Sequence, residues 1–363
     1  VRVRSKKMND DRLRAARARL LLRRYAPAFL YNRAYGVNMV DFGIPIRATA
    51  EDDRPTIRFH VPQKLSQAQL ERAGIEAVPR EIGEFTTDVI EGTYRPHLWS
   101  WWYPPRPPAS GPRTRHDPMR GGISVSVARE YSAGTLGGLV RDRATGELMI
   151  LSNWHVLAAE RWVASGLPVC QPGRLDGGMP YDVVATMTRH SMRQNIDAAV
   201  ATLTGDRTLI NDQLDIGPVS GVALPRLGMR VIKSGRTTRV TEGIVTGVEG
   251  QARLWYGSMQ RTIQHVMTIV PVPGKHEVSA GGDSGSWWLD AETHAAIGLH
   301  FAGSDAPEQA LAIDMQAVLD ALNIDIVIER PAAAGRRRPE AMVRAAWREI
   351  GSGMLETLET LAR

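Results

Sequence analysis

Short runs of strand character, separated by turns, fill the middle of the chain. Ile123 to Ala128, Gly137 to Asp142, Leu148 to Ser152, Asp182 to Met187 and Ala198 to Leu203 read as strands separated by turns. A second set follows at Arg230 to Lys233, Gly243 to Val248, Thr262 to Val272, Ser286 to Leu289 and Ala296 to Phe301. Many short strands with Gly and Pro turns predict an all-β sandwich or barrel, and two such sets predict two barrels. Met315 to Leu322 changes to helical spacing and closes this region.

The flanks follow other periods. Residues 1–34 read as an extended basic start and then a helix, capped near Asn9 or Asp10 and stopped by Pro27. Its apolar stripe is Leu13, Ala16, Leu20 and Leu21. Residues 35–95 predict a small α/β module, with strands at Val37 to Ile46, Thr56 to Val61 and Phe85 to Ile90 and a helix over Leu65 to Ala73. Residues 96–120 are a linker rich in Trp and Pro, expected to pack on the chain's own body or near a substrate cleft. The organisation is therefore a basic helical segment (1–34), an α/β module (35–95), a linker (96–120), a two-barrel domain (121–325, with barrels about 121–215 and 216–325) and a tail (326–363). In that tail Val343, Ala346, Trp347, Ile350, Met354, Leu358 and Leu361 recur at helical spacing.

Composition narrows the class. The 363 residues are 43% hydrophobic and 23% charged, as in a soluble globular protein. No apolar run reaches the ~20 residues that span a bilayer. The basic N-terminal stretch lacks an apolar core, so no secretory signal is expected. Cys170 is the single cysteine, which fits a reducing, cytoplasmic setting. The net charge of +6 is concentrated towards the two ends. Such basic runs suit a solvated helix face better than a nucleic-acid footprint.

Candidate chemistry centres on Gly281-Gly282-Asp283-Ser284-Gly285-Ser286. A serine in so tight a turn is held with its hydroxyl outward, beside backbone N–H groups free to face an oxyanion. Among nine histidines, His155 stands at a strand end in Leu151-Ser152-Asn153-Trp154-His155. Asp197 immediately precedes an apolar strand. A serine, a histidine to take its proton and a carboxylate to orient that histidine are what acyl transfer requires. His60 is alone in a strand pattern and reads as structural. No His, Cys and acid cluster has metal-ligand spacing in residues 35–95.

With the order His155, Asp197, Ser284, residues 121 to 325 resemble a chymotrypsin/trypsin-like serine protease. More specifically, residues 36 to 325 resemble the non-secreted bacterial trypsin-like peptidases related to the plant narrow-leaf protein. The matching stretches are Gly134-Thr135-Leu136-Gly137, Leu151-Ser152-Asn153 with His155, Gln171-Pro172-Gly173, Lys233-Ser234-Gly235-Arg236-Thr237-Thr238, Gly282 to Ser286 and Thr87 to Glu91. The resemblance implies a mainly β, chymotrypsin-like double β-barrel with a small α/β module and helical tails. It implies catalytic His155, Asp197 and Ser284, and an oxyanion hole from the backbone of Gly282 and Ser284. No cofactor or metal is implied. A protein or peptide substrate, a regulatory protein partner, homo-oligomer contacts through the tail and a role in bacterial defence are further expectations. Two positions depart from the pattern: Trp154, which would narrow the cleft, and Arg239, where glycine usually follows.

Specificity follows from the same resemblance. The position that would carry trypsin's acid is Val278, so a basic P1 residue is not favoured. Gly298-Leu299-His300-Phe301-Ala302-Gly303 is similar to the strand with which glutamyl endopeptidases read P1. His300, assisted by Ser279 and beside Gly303, would prefer a P1 acid or amide, against an apolar pocket with a merely packed histidine. Met119-Arg120-Gly121 is similar to a zymogen activation site, in which a new Gly121 amine would pair with Asp283. The contrasting reading is an idle protease-fold scaffold binding protein or nucleic acid through its basic ends.

Overall fold

The computed structural model describes residues 2–45, 54–97, 99–100, 110–159, 165–179 and 181–328. The expected tail helix, and residues 101–109 of the linker, lie outside the described residues.

The short strand segments form two closed antiparallel sheets. In the first, Ser124–Val127, Pro168–Cys170, Val183–His190, Ala199–Leu203, Leu148–Ser152 and Gly138–Asp142 pair in that order. Ser132–Thr135 pairs back onto Ser124–Val127. Only Leu136 and Gly137 separate Ser132–Thr135 from Gly138–Asp142, so one bent strand closes the barrel. A Cβ at Gly137 would lie 2.2 Å from Trp287 Nε1, so the bend needs glycine. The second barrel runs Arg230–Gly235, Trp287–Asp290, Ala295–Asp305, Glu308–Asp314, Met259–Pro271 and Arg239–Tyr256. It closes because Arg230–Gly235 also pairs with Arg239–Tyr256. Closure removes the exposed edges that an open sheet would present. Met315–Leu322 is a helix, with Asp314 accepting from Gln316 N and Ala317 N at its start.

The segment expected as an α/β module continues the second barrel's sheet. Met39–Gly43 pairs with the far half of Arg239–Tyr256, Thr56–Val61 pairs with Met39–Gly43, and Phe85–Glu91 lies parallel to Thr56–Val61. Phe42, Phe59 and Phe85 share one buried cluster with Ile269, Trp288 and Ile297 of the barrel. The lone His60 is tied into a buried network. Its Nε2 lies 3.2 Å from Asp41 Oδ1, and its Nδ1 lies 2.5 Å from Tyr94 Oη. Arg58 Nε donates to Asp41 at 2.7 Å. Burial alone would raise the Asp41 carboxyl, but Arg58 and His60 hold it well below the usual carboxylate range.

The N-terminal helix corrects three expectations. It begins at Arg2, with no extended start, and runs through Pro27 to Tyr31. Proline removes one N–H and crowds the carbonyl one turn back, and docking on the barrel offsets that cost. The buried stripe is Ala18, Leu22, Ala26 and Leu30, whereas Leu13 and Leu20 are 56% and 67% exposed. Arg253 caps the helix end by donating to Leu30 O at 2.9 Å. Arg19 pairs with Glu249 on the barrel, which fixes the rotation of the helix.

Candidate active site

His155 leaves the strand Leu148–Ser152 through Asn153, the N-cap of the short helix Trp154–Leu157. Asn153 Nδ2 donates to Asp197 O at 2.7 Å, which ties the two loops together. His155 Nδ1 then donates to Asp197 Oδ2 at 2.5 Å, and His155 N to Oδ1 at 3.2 Å. Tyr256, at the end of the long barrel strand, donates its hydroxyl to Asp197 Oδ2 at 2.8 Å. The carboxylate thus accepts from the imidazole, a backbone N–H and a phenol, and this fixes the imidazole tautomer. His155 Nε2 is buried without a hydrogen-bond partner among the described residues.

Ser284 comes from the other barrel. Thr135 of the first barrel donates its N–H to Ser284 O at 2.7 Å and its hydroxyl to Gly282 O at 2.8 Å. Gly282 and Gly285 sit at φ +96° and +99°, and a Cβ at Gly285 would lie 2.1 Å from both Ser152 Oγ and Thr135 O. Only glycine follows this path at little cost. Ser284 Oγ donates to Phe301 O at 3.1 Å and not to His155 Nε2. His155, Asp197 and Ser284 are all fully buried.

Asp283 holds the turn. Its Oδ2 accepts from Lys233 Nζ at 3.0 Å and Thr238 Oγ1 at 2.6 Å, and its Oδ1 from Thr237 N at 2.8 Å. Burial would raise this carboxyl, but Lys233 and the hydrogen bonds hold it well below the usual range. The zymogen-like reading is corrected here. Gly121 is buried in a strand, and Lys233 already supplies the cation that a new amine would bring. Arg236 forks onto Asp176 of the first barrel, Nε to Oδ2 at 2.7 Å and Nη2 to Oδ1 at 2.6 Å, a second clamp between the barrels. Lys233 and Arg236 lie in a stretch that marks the resemblance, but nothing in the stretch names their partners. Tyr256 carries no local signal.

The expected specificity residues are all close to the turn in sequence. Val278 is fully buried in the second barrel's core. Ser279 Oγ is buried without a partner, while the backbone N–H groups of Val278 and Ser279 donate to Glu308 Oε1 at 2.9 and 3.2 Å. His300 is fully buried, and its Nε2 lies 3.2 Å from Nδ1 of His97. A Cβ on Gly303 would lie 2.3 Å from His97 Cε1. Trp154 does not narrow the cleft. It is buried in the core, 6.1 Å from the ring of Tyr256.

The fold is a mainly β double β-barrel, with Ser284, His155 and Asp197 at the junction of the barrels. No family model and no curated protein matches the chain. Similar solved structures include Protease A of Thermobifida fusca, at 17% identity and TM-score 0.44 over 58% of this chain and 99% of that one. The chymotrypsin of Cellulomonas bogoriensis aligns at 18% identity and TM-score 0.43, over 58% and 99%. A glutamic acid-specific serine protease, described as using a histidine triad in substrate binding, aligns at 19% and 0.44, over 58% and 100%. No helix among the described residues is long and apolar enough to cross a membrane.

Proposed function

We propose that the chain is a serine endopeptidase that cleaves peptide bonds through Ser284, His155 and Asp197 and an acyl-enzyme. The observation that carries this reading is the His155 imidazole. Its Nδ1 is fixed on Asp197, and its Nε2 is buried with no partner among the described residues. An imidazole held by a carboxylate through one nitrogen and open at the other is the arrangement a general base requires. Rotation about the Cα–Cβ bond of Ser284 transfers its hydroxyl from Phe301 O to this nitrogen. Oγ then attacks the carbonyl carbon, and His155 takes the proton and returns it to the leaving amine. Asp197 stabilises the imidazolium. The N–H groups of Gly282 and Ser284 hold the oxyanion.

The buried, unpaired Cys170 thiol fits a reducing cytoplasm. The N-terminal helix and strands, built onto the second barrel, offer surface for a specific protein partner. The test is labelling with a fluorophosphonate probe. Modification that disappears in Ser284→Ala supports the peptidase. No modification, together with salt-sensitive nucleic-acid binding by the basic ends, replaces it with a scaffold.

A further inference from the structure

The site described above is already filled by the chain itself. Arg95–Pro96 runs antiparallel to Ala295–Asp305, with Ala302 opposite Pro96 and Gly303 opposite Arg95. The next residue, His97, donates its N–H to Phe301 O at 3.1 Å. Its carbonyl oxygen accepts from Gly282 N at 2.6 Å, the N–H assigned above to the oxyanion. Its side chain is 3% exposed and faces His300 across the gap left by Gly303. One residue later the chain resumes as a strand at Trp99–Ser100, paired with Ala133 and Ser132 of the first barrel. Residues 95–97 therefore run along the second barrel and present one carbonyl to the nucleophile's turn, and residues 99–100 pair with the first.

This is how a peptide lies when it is to be cut. Extended backbone paired on both sides gives a register, and the register selects one carbonyl. Only His97 O is on the Gly282 N–H. A linker that merely crossed the surface would not need Gly303 to admit its side chain, nor a buried imidazole against His300. Arg95 also pairs with Asp305, outside the cleft, and Tyr94 anchors the approach with its Oη 2.6 Å from Gln309 Oε1.

We propose that residues 95–100 are this enzyme's own substrate strand, and that Ser284 cleaves the peptide bond between His97 and Leu98. The proposal rests on the serine-peptidase reading. Ser284 Oγ bonds to the His97 carbonyl carbon, and His155 Nε2 takes the hydroxyl proton. The C–N bond breaks, and His155 hands that proton to the Leu98 amine. Water then attacks the His97 ester with its proton passing to His155, and Ser284 regains a hydrogen as the His97 carboxylic acid departs. Tethering provides the drive, since well-oriented intramolecular reactants reach effective concentrations of about 10⁵–10⁸ M. The subsites so defined take imidazole at P1, proline at P2 and arginine at P3.

The test follows the intact mass and the new N-terminus of the full chain after purification, at several protein concentrations. Wild type should yield one piece ending at His97 and one beginning at Leu98, at a rate independent of concentration. Ser284→Ala should stay whole, and His97→Asp should be at least about tenfold slower. Cleavage elsewhere, or a rate that rises with concentration, overturns the proposal. A wild type that stays whole also overturns it, and fluorophosphonate labelling of Arg95→Gly/His97→Gly then separates two cases. Labelling leaves a peptidase that spares its own strand, and none overturns the peptidase reading as well.

Discussion

Lys233 and Asp283 form an ion pair at 3.0 Å in which both side chains are fully buried. Lys233 Nζ also donates to Thr238 Oγ1 at 2.7 Å, and it lies 5.5 Å from the ring centroid of Trp288. Removing one partner of a buried pair typically costs about 3–5 kcal/mol. Lys233→Met should therefore lower thermal stability by that order and abolish fluorophosphonate labelling, because the Gly282–Ser284 turn loses its anchor. The Asp283 carboxyl is depressed in the folded state. Its contribution is present above the unfolded value of about 3.9 and is lost as pH falls below it. Lys233→Met should weaken that acid dependence, measured by chemical denaturation across pH 2 to 5.

Tyr256 and Asp197 meet across the barrels, and the Tyr256 ring lies 6.0 Å from the His155 imidazole, centroid to centroid. Tyr256→Phe should lower kcat on a peptide substrate by about tenfold, the equivalent of one hydrogen bond of about 1.4 kcal/mol, with KM little changed. Asp197→Asn, which reverses the imidazole tautomer, should cost about 10⁴ in kcat. Equal losses in the two variants would show that the phenol, and not the carboxylate, orients His155.

Arg239 adopts φ +57°, where a side chain is strained and glycine is not. Arg239→Gly should raise stability by about 1 kcal/mol, read as a higher Tm. Its guanidinium also rests where a Cβ on Gly111 would lie, 2.4 Å from Nη2. Gly111→Ala should therefore be destabilising in wild type and less so beside Arg239→Gly.

The His97 and His300 imidazoles face each other without a carboxylate between them. Burial pushes His97 down to about 4, and it holds His300 well below its ordinary value. Asp283 and Asp305 oppose this, while Arg95 and Lys233 add to it. An undocked imidazole takes a proton below about 6.5, whereas the docked His97 resists until about 4. Docking is therefore strongest above about 6.5 and weakens as pH falls towards 4, by roughly 1.4 kcal/mol per pH unit for one imidazole. In Ser284→Ala, where no cutting intervenes, the His97 amide should lose hydrogen-exchange protection over that window.

Much of this fold is legible in the short strand-like runs of the central segments and the Gly and Pro turns between them, because strands buried on both faces read as near-continuous apolar runs. The helix Met315–Leu322 falls where its spacing predicts. Three features were not legible for physical reasons. The N-terminal helix carries two apolar stripes, Leu13/Leu20 and Leu22/Leu30, and only packing against the barrel chooses between them. The long reach of Arg239–Tyr256 depends on partners supplied by Met39–Gly43, far away in sequence. The occupation of the cleft by residues 95–97 rests on backbone hydrogen bonds, which leave no signature in the sequence. At the candidate site, strand-end context drew attention to His155 and Asp197, which lie 2.5 Å apart. The direction of the Ser284 hydroxyl, towards Phe301 O, has no sequence signature.

The sheet that begins with Met39–Gly43 is woven into the second barrel before the chain ever reaches His97. A nick at that point would therefore change the connectivity of the molecule without separating its pieces. Two bands on a denaturing gel would travel as one particle through a sizing column. The fresh ends would stay at the cleft, held on one side by Tyr94 and on the other by the pairing of Trp99–Ser100 with Ala133 and Ser132.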